Sequence, residues 1–185
     1  MEIFDIVDTS GNPTGQTVER TEAHAKGIRH RTAHIWVTRR VNGVLQVLLQ
    51  KRSLDKDSFP GGLDTSSAGH IQAGDEPLES ALRELGEELD IHAAPEDLLP
   101  IGTFVVSLQE EFHGKPFLDE EIAFVYVYEK PVDITTLHLQ ASELDSVEWH
   151  DYTEALHATL TNDPKYVIPI DGLRTVGRYY GMKEE

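Results

Sequence analysis

The feature that most constrains the fold is a helical pattern in residues 69–91, GHIQAGDEPLESALRELGEELDI. Five apolar side chains recur at intervals of three and four residues and predict an amphipathic helix: Leu78, Ala81, Leu82, Leu85 and Leu89. Asp75 is predicted to cap the start of this helix, and Pro77 lies in its first turn, where its missing N–H does no harm. The apolar face of such a helix has to be buried against another element of a packed domain.

Three carboxylates gather on another face of the predicted helix, away from the middle of the leucine stripe. On a helix that turns by about 100° per residue, Glu84, Glu87 and Glu88 fall within one arc. Each like-charged pair at these spacings costs about 0.2–0.5 kcal/mol, so something must offset the repulsion. Arg83, four residues before Glu87, can hold one carboxylate in place, and hard divalent ions prefer oxygen ligands. The sequence therefore favours a metal-binding helix over an ordinary solvated acidic face.

The same segment resembles the Nudix box, whose pattern is glycine, five residues, glutamate, seven residues, arginine-glutamate, aliphatic, any residue, glutamate-glutamate, any residue, glycine, aliphatic. The positions that match are Gly69, Arg83, Glu84, Leu85, Glu87, Glu88 and Ile91. The resemblance to Nudix hydrolases implies an α/β (α+β) fold, in which helices pack on a mixed β-sheet. It also implies that Mg²⁺ or Mn²⁺ binds the box carboxylates, with the carbonyl of Gly69 as a further ligand.

Two positions depart from the box. Asp75 stands where the pattern has glutamate, and it keeps a carboxylate on a shorter side chain. Asp90 stands where the pattern has glycine, and it is expected to change only how the helix ends, since aspartate tolerates the left-handed conformation. Neither departure removes a predicted metal ligand.

Segments rich in β-forming residues surround the helix. Before it, the predicted strands are EIFDIVD, GQTVER, AHIWVTRR and VLQVLLQKRS, the last two joined by a hairpin at VNG. After it, the predicted strands are LPIGTFVVS, EIAFVYVYEK and DSVEWHD, while DYTEALHATL and GLRTVGRYYGM are expected to form helices or turns. This order predicts helices packed on a mixed sheet within a single domain over residues 1–185.

The resemblance extends beyond the box. HRTAHIWV, LLQKRSLDKDSFPGGLDTSSAGH and LDEEIAFVYVY resemble the branch of Nudix proteins related to isopentenyl-diphosphate isomerase. The resemblance implies that Arg52 and Lys56 grip the substrate diphosphate, in agreement with the chemistry of the two side chains, and a solvated basic patch stays the alternative. Because a chain of this net charge repels anions, we predict that both residues act on the substrate rather than on the fold. The resemblance further implies a second metal site, formed by His24, His30, His70, Asp119 and Glu121. A surface or hydrogen-bonding role stays the alternative for these histidines, and a solvated strand edge stays the alternative for Glu121.

One residue argues against the isomerase reaction. The cysteine that handles protons in that isomerase aligns with Ala68, and the chain contains no cysteine. Alanine carries no titratable proton. The isomerase also lacks the complete arginine-glutamate and glutamate-glutamate pairs that this sequence keeps. Isomerisation is therefore an alternative to the predicted hydrolysis.

The predicted activity is metal-dependent hydrolysis of a diphosphate linkage in a small nucleoside or organic diphosphate. A carboxylate has to take the proton of the attacking water, and Glu88 and Glu121 are the candidates, in that order. Arg83 joins the candidate catalytic residues because it lies beside the metal-binding carboxylates. A non-catalytic module that binds a phosphorylated metabolite is a further alternative, although the sequence keeps every carboxylate of the metal-binding arc.

The composition limits the partners. The chain has 33 acidic and 16 basic residues and a net charge of −17, so it should repel nucleic acid and needs local cations to hold phosphate. The absence of cysteine favours a reducing compartment, and neither a signal-peptide pattern nor a membrane-spanning apolar run is present. We expect a cytoplasmic protein with a small-molecule substrate. The sequence leaves the oligomeric state open, a homodimer included.

Overall fold

The computed structural model describes residues 1–56, 58–112 and 114–183. Within these residues the elements follow in the order β1 (Ile3–Val7), β2 (Pro13–Glu19), α1 (Arg20–Lys26), β3 (His30–Val41), β4 (Val44–Arg52), β5 (Leu63–Asp64), β6 (Ser67–His70), α2 (Pro77–Leu89), β7 (Leu98–Phe112), β8 (Lys115–Tyr128), β9 (Leu144–Asp151), α3 (Tyr152–Leu160) and α4 (Ile170–Tyr179). A short 3₁₀ turn (Pro95–Asp97) precedes β7.

Strand β3 organises the larger sheet. It pairs in parallel with β8, which places His30 beside Glu121. It pairs antiparallel with β6, which places His34 opposite Ala68, and its second half pairs with β4. Strand β4 also carries β5 and β9, while β7 extends the sheet beyond β8 and β1 and β2 form a separate hairpin. Thr32 and His34, in the part of β3 that pairs with β6, line the cleft described below.

The core lies on both faces of this sheet because side chains alternate along β3. Trp36 belongs to a buried cluster that includes Leu173 of α4 and residues of α3. Its neighbours Ile35 and Val37 belong to a second cluster that includes Leu85 of α2. A third, smaller buried cluster joins the N-terminal hairpin to α1 and contains Phe4, Val18 and Ala23.

Local sequence signals explain two turns. The hairpin between β3 and β4 turns at Asn42 and Gly43, whose φ angles of 50° and 84° are the positive values that such tight hairpin turns require. Helix α2 ends at Asp90, which adopts the left-handed conformation with φ 57°. The predicted hairpin and the predicted role of Asp90 at the helix end are both confirmed.

The predicted cap at Asp75 is wrong. Helix α2 begins one residue later than the prediction, and Glu76 takes the cap position in extended conformation without a capping hydrogen bond from its side chain. The backbone carbonyl of Asp75 instead accepts a hydrogen bond from Arg31 at 3.1 Å. The predicted position of Pro77 in the first turn is confirmed.

The fold class is as predicted, with helices packed on a mixed sheet. The sequence analysis did not predict α1, and it predicted shorter strands than β7 and β8. These two strands together form a long hairpin. Glu121 lies inside β8 and is only 6% exposed, so the solvated-edge alternative for this residue is wrong. In the part of the chain that the structure describes, every helix is too short or too polar to cross a membrane.

Candidate active site and metal-binding cluster

A cleft of about 540 Å³ lies beside the paired part of β3 and β6. Among the described residues that line it, nine are acidic and four are basic, the basic ones being Arg20, Arg52, Lys56 and Arg83. An anionic diphosphate would therefore meet net negative charge. Cations have to neutralise these carboxylates before such a substrate can bind.

Glu88 forms the buried end of the carboxylate wall and is only 5% exposed. Its Oε2 accepts hydrogen bonds from the side-chain nitrogen of Gln50 and from the backbone N–H of Ala68, both at 3.3 Å. Burial, together with the neighbouring carboxylates Glu84 and Glu143, raises the pKa of Glu88 to about 8, although the hydrogen bond from the Ala68 backbone lowers it. Without a bound cation this group holds its proton at neutral pH.

Glu84 packs against Gly69. A Cβ atom built on Gly69 would lie less than 3.0 Å from the Glu84 carboxylate, so only glycine leaves room for that carboxylate at this place. Arg83 contacts Glu84 Oε1 at 2.8 Å and donates to the backbone carbonyl of His70 at 3.2 Å. Burial raises the pKa of Glu84, which Arg83 partly counteracts. Glu87 completes the wall with a side chain that is 56% exposed and lies 3.6 Å from Arg83.

The second group of predicted ligands converges at the other side of the cleft. His24 comes from α1, His30 begins β3, His70 ends β6 and Glu121 lies on β8, and one ligand atom from each lies within 4.8 Å of the others. Asp119 Oδ1 is 3.4 Å from His24 Nε2 and 3.9 Å from His30 Nε2. The fold thus brings together all five residues that the resemblance placed in a second metal site.

The hydrogen bonds around His30 and Glu121 leave lone pairs facing each other. His30 Nδ1 lies 2.9 Å from the carbonyl of Ile28, which can only accept, so Nδ1 carries the proton and Nε2 of the neutral ring has a free lone pair. That Nε2 faces Glu121 Oε1 at 3.6 Å, and His70 Nε2 lies 3.6 Å from the same oxygen. Thr32 donates to the other oxygen, Oε2, at 3.0 Å. A proton or a metal ion has to lie between these lone pairs.

A divalent ion fits this arrangement. Within the described part of the chain, four buried atoms around it have no hydrogen-bond partner: Nε2 of His24, His30 and His70, and Oδ1 of Asp119. Buried polar atoms normally have hydrogen-bond partners, and a metal ion that binds at the site is one reason why such atoms lack a protein partner. Imidazole and carboxylate ligands together suit Zn²⁺, Mn²⁺ and other transition-metal ions better than Mg²⁺.

The charges in this cluster favour one positive charge at its centre. Burial lowers the pKa of His70 to about 3. Burial alone would also lower the pKa of His30, but the Glu121 carboxylate raises it above its ordinary value. Burial raises the pKa of Glu121, but the interaction with His30 outweighs burial and lowers this pKa to about 2. Protonation of His30 would supply this charge in a metal-free protein, and a bound metal ion would replace the proton.

Arg52 and Lys56 both line the cleft but already have protein partners. The Arg52 guanidinium donates to the carbonyl and hydroxyl of Ser58 and to Asp64, at distances from 2.9 to 3.1 Å. Lys56 pairs with Glu143, which also lines the cleft. Arg52 therefore also holds the loop before β5, a structural role that the sequence did not indicate. Binding of substrate by Arg52 and Lys56 stays a prediction.

Ala68 lies in the cleft wall, directly opposite His34. His34 is 7% exposed, and burial lowers its pKa, so the ring is neutral at pH 7. The alanine methyl group and this neutral ring occupy the part of the wall where the isomerase resemblance places a cysteine. The wall therefore holds no thiol at this point.

Sequence reasoning missed four residues of the cleft region. Gln50 and Thr32 orient Glu88 and Glu121, while Arg20 and Glu143 line the cleft. Alternation along β3 would have placed Thr32 on the same face as His30. Arg20 lies four residues before His24, the spacing that shares a helix face, but helix α1 was not predicted. Local spacing gives no indication for Glu143.

The chain matches known proteins over most of its length. The NUDIX domain model matches residues 28–169. Nudix hydrolase 3 of Arabidopsis thaliana is 39% identical over 183 residues, which is 98% of this chain and 23% of that protein. An uncharacterized Nudix hydrolase of Clostridium acetobutylicum is 39% identical over 143 residues, 77% of this chain and 66% of that protein. The chain thus spans less than two thirds of each of these relatives.

Solved structures share the fold. A crystal structure of a Deinococcus radiodurans protein has a TM-score of 0.69 at 20% identity and covers 97% of this chain and 99% of that one. The NUDIX domain of Shewanella oneidensis NrtR, crystallised with ADP ribose, has a TM-score of 0.56 at 15% identity and covers 89% of this chain and 98% of that one. At such identities the likeness concerns the fold alone. The box carboxylates around Gly69 and the domain match over residues 28–169 lead to one conclusion: this chain belongs to the Nudix hydrolase family.

Proposed function

We propose that this protein is a metal-dependent hydrolase that cleaves a diphosphate linkage in a small nucleoside or organic diphosphate. Nudix enzymes cleave pyrophosphate bonds in nucleoside diphosphate derivatives. The observation that carries the proposal is the placement of two converging groups of ligand atoms, the α2 carboxylates and the histidine cluster, on one cleft. A cytoplasmic location and a single domain over residues 1–185 belong to the same proposal, and a homodimer is among the states it allows.

Two kinds of metal ion suit the two groups. Glu84, Glu87, Glu88 and the carbonyl of Gly69 would hold Mg²⁺ or Mn²⁺, and the cluster of His24, His30, His70, Asp119 and Glu121 would hold a transition-metal ion. When bound, such ions polarise phosphoryl oxygens, neutralise developing negative charge and acidify the attacking water. Arg83 supports this arrangement by fixing Glu84 against the backbone of His70.

Glu88 is the stronger candidate for the general base. Burial raises the pKa of Glu88 to about 8 in the metal-free protein, and a bound cation would lower it from there toward the neutral pH at which an efficient base works. Glu121 has a pKa of about 2, and its two oxygens face Thr32 and the histidine rings. A carboxylate with so low a pKa accepts a proton poorly. Gln50 and the N–H of Ala68 would hold Glu88 in position while it takes the proton.

The basic residues of the cleft would bind the phosphates. Arg52 is fixed by its bonds to Ser58 and Asp64, so it offers a preorganised guanidinium, whereas Lys56 has to exchange Glu143 for the substrate. Arg20, with a side chain that is 51% exposed, is a third candidate at the cleft edge. Charge-assisted hydrogen bonds to phosphate are about twice as strong as neutral ones.

The proposal can be tested by measuring phosphate release from nucleotide sugars, nucleoside diphosphates, dinucleoside polyphosphates and prenyl diphosphates, with and without divalent ions. Glu88→Gln should remove most of the metal-dependent turnover, while Glu79→Gln, on the same helix but outside the cleft, should keep it. Turnover that survives a chelator, or that Glu88→Gln leaves unchanged, would contradict the metal assignment. Metal-dependent binding of a diphosphate without turnover would support the alternative of a binding module.

A further inference from the structure

Phe4 contacts all three histidine rings of the candidate metal cluster. It lies on β1 and is fully buried. Its ring stacks on His30 at a centroid distance of 4.7 Å and an interplanar angle of 13°, and on His70 at 4.6 Å and 15°. It also meets His24 edge-on at 6.3 Å. A single aromatic side chain therefore packs on every imidazole of the cluster.

The two stacked imidazoles lie on the same side of the Phe4 ring. Their centroids are 5.3 Å apart, much closer than a sandwich with Phe4 between them would allow. The His24 ring stacks on Phe117, at a centroid distance of 4.7 Å and an interplanar angle of 15°. The histidine rings are thus held by neighbouring aromatic rings in an arrangement that directs Nε2 of His30 and His70 toward Glu121 and Nε2 of His24 toward Asp119.

Ring packing, rather than hydrogen bonding, has to fix the orientation of two of these histidines. A metal-binding histidine usually donates its second N–H to a carbonyl or carboxylate, which fixes the ring. His30 has such a bond, to Ile28. Among the described residues no hydrogen bond is found for the outer nitrogens of His24 and His70. Because rotation of an imidazole about its last side-chain torsion is otherwise soft, the neighbouring rings are left to define the orientation of these two.

The hairpin that carries Phe4 is anchored at the site. Val7 N–H donates to the carbonyl of Arg29 at 3.1 Å, next to His30, and Ala73 N–H donates to the carbonyl of Ile3 at 2.8 Å, just after His70. Residues 1–27 lie outside the segment that the NUDIX domain model matches, yet they supply Phe4 and His24. The N-terminal segment therefore contributes two side chains to the cluster and its surroundings.

We propose that Phe4 is a positioning residue for the histidine cluster: its ring orients His70 and packs on the hydrogen-bonded His30, so that the Nε2 atoms of both converge on one transition-metal ion. This inference rests on the proposed metal site but concerns a residue that is no ligand. Replacing the Phe4 ring should weaken metal binding although every ligand is kept. Losses of about 10- to 100-fold are typical when groups that orient metal ligands are removed.

The test measures Co²⁺ binding to the full-length protein by calorimetry and visible absorption, with Mg²⁺ in excess to occupy the α2 carboxylates. Phe4→Leu keeps an apolar side chain and removes the ring, and Phe4→Met serves as a second variant if the first does not fold. Val18→Ala is the matched control, because Val18 pairs with Phe4 in the same hairpin and in the same buried cluster. His70→Ala reports whether Co²⁺ uses the cluster.

We expect Phe4→Leu to bind Co²⁺ at least about tenfold more weakly with an altered spectrum, and Val18→Ala to stay within about twofold of wild type. Wild-type affinity and spectrum in both Phe4 variants would overturn the role of Phe4 while leaving the metal site intact. An equal loss in Val18→Ala would overturn it too, because general packing of the hairpin would then suffice. Wild-type binding that His70→Ala leaves unchanged would instead show that the metal site itself is misplaced.

Discussion

Glu88 should make the metal-free protein less stable as the pH rises. In the folded protein its pKa is about 8, against an ordinary value of 4.5. Between these values the folded protein holds a proton that the unfolded chain has released, so the free energy of unfolding falls with increasing pH. Each pKa unit corresponds to about 1.36 kcal/mol, which sets the loss over the whole interval at roughly 5 kcal/mol as an upper limit.

Glu88→Gln isolates this effect, because it keeps the shape of the side chain and an oxygen for Gln50 and Ala68 but removes the ionisation. In urea unfolding with a chelator present, wild type should lose roughly 2 kcal/mol relative to the variant between pH 6 and pH 8, because Glu88 is only half ionised at the upper pH. Glu87→Gln is the control, since this half-exposed side chain on the same helix face should give a constant difference. Parallel pH profiles for wild type and Glu88→Gln would refute the reasoning.

Magnesium should reverse the loss. A cation beside Glu88 favours its charged form, so Mg²⁺ at pH 8 should raise the free energy of unfolding of wild type by binding only the folded protein. The gain should be smaller in Glu88→Gln, which lacks one ligand charge. If Mg²⁺ stabilises both proteins equally, then Glu88 is not a metal ligand.

Three further predictions concern other parts of the cleft. Gly69→Ala should keep the fold and lower metal-dependent turnover at least about tenfold, because the new Cβ displaces the Glu84 carboxylate. Gly86→Ala is the control and should keep its turnover, because a Cβ there makes ordinary contacts only. Equal turnover in both variants would contradict the role of Gly69. Lys56→Ala should lower kcat/KM by about tenfold without affecting the midpoint of thermal unfolding. Arg52→Ala should lower kcat/KM and also lower the free energy of unfolding by about 1–3 kcal/mol, because it leaves Ser58 and Asp64 without their partner. Thermal melts and steady-state kinetics distinguish the two roles. Isopentenyl diphosphate incubated with the protein and Mg²⁺ in deuterated water should gain no deuterium, and incorporation at a catalytic rate would show that a group other than a thiol handles protons near Ala68.

The sequence by itself determined the elements that local spacing encodes. The apolar stripe and the acidic arc of α2 follow from intervals of three and four residues, and the turn at Asn42 and Gly43 follows from two residues that accept positive φ. Asp90 ends the helix for the same local reason. Such features depend on neighbours within one or two turns of the chain, so they can be predicted without knowledge of the fold.

The resemblance supplied the residues of the histidine cluster, but only the tertiary structure decided their surroundings. Thr32 reaches Glu121 across 89 positions of sequence, and Phe4 reaches His70 from a separate hairpin. These contacts depend on how β3 pairs with β6 and β8, since a strand that slips by one residue turns every side chain to the other face. Local spacing carries no record of that register.

Burial was also decided by the fold. The sequence places Glu84, Glu87 and Glu88 on one arc, yet the packed structure buries Glu88 beside Gln50 and leaves Glu87 half exposed. The pKa of each carboxylate follows from this difference, because desolvation penalises a charge only where other parts of the chain exclude water. Helical spacing thus selected the ligands, and long-range packing set their chemistry.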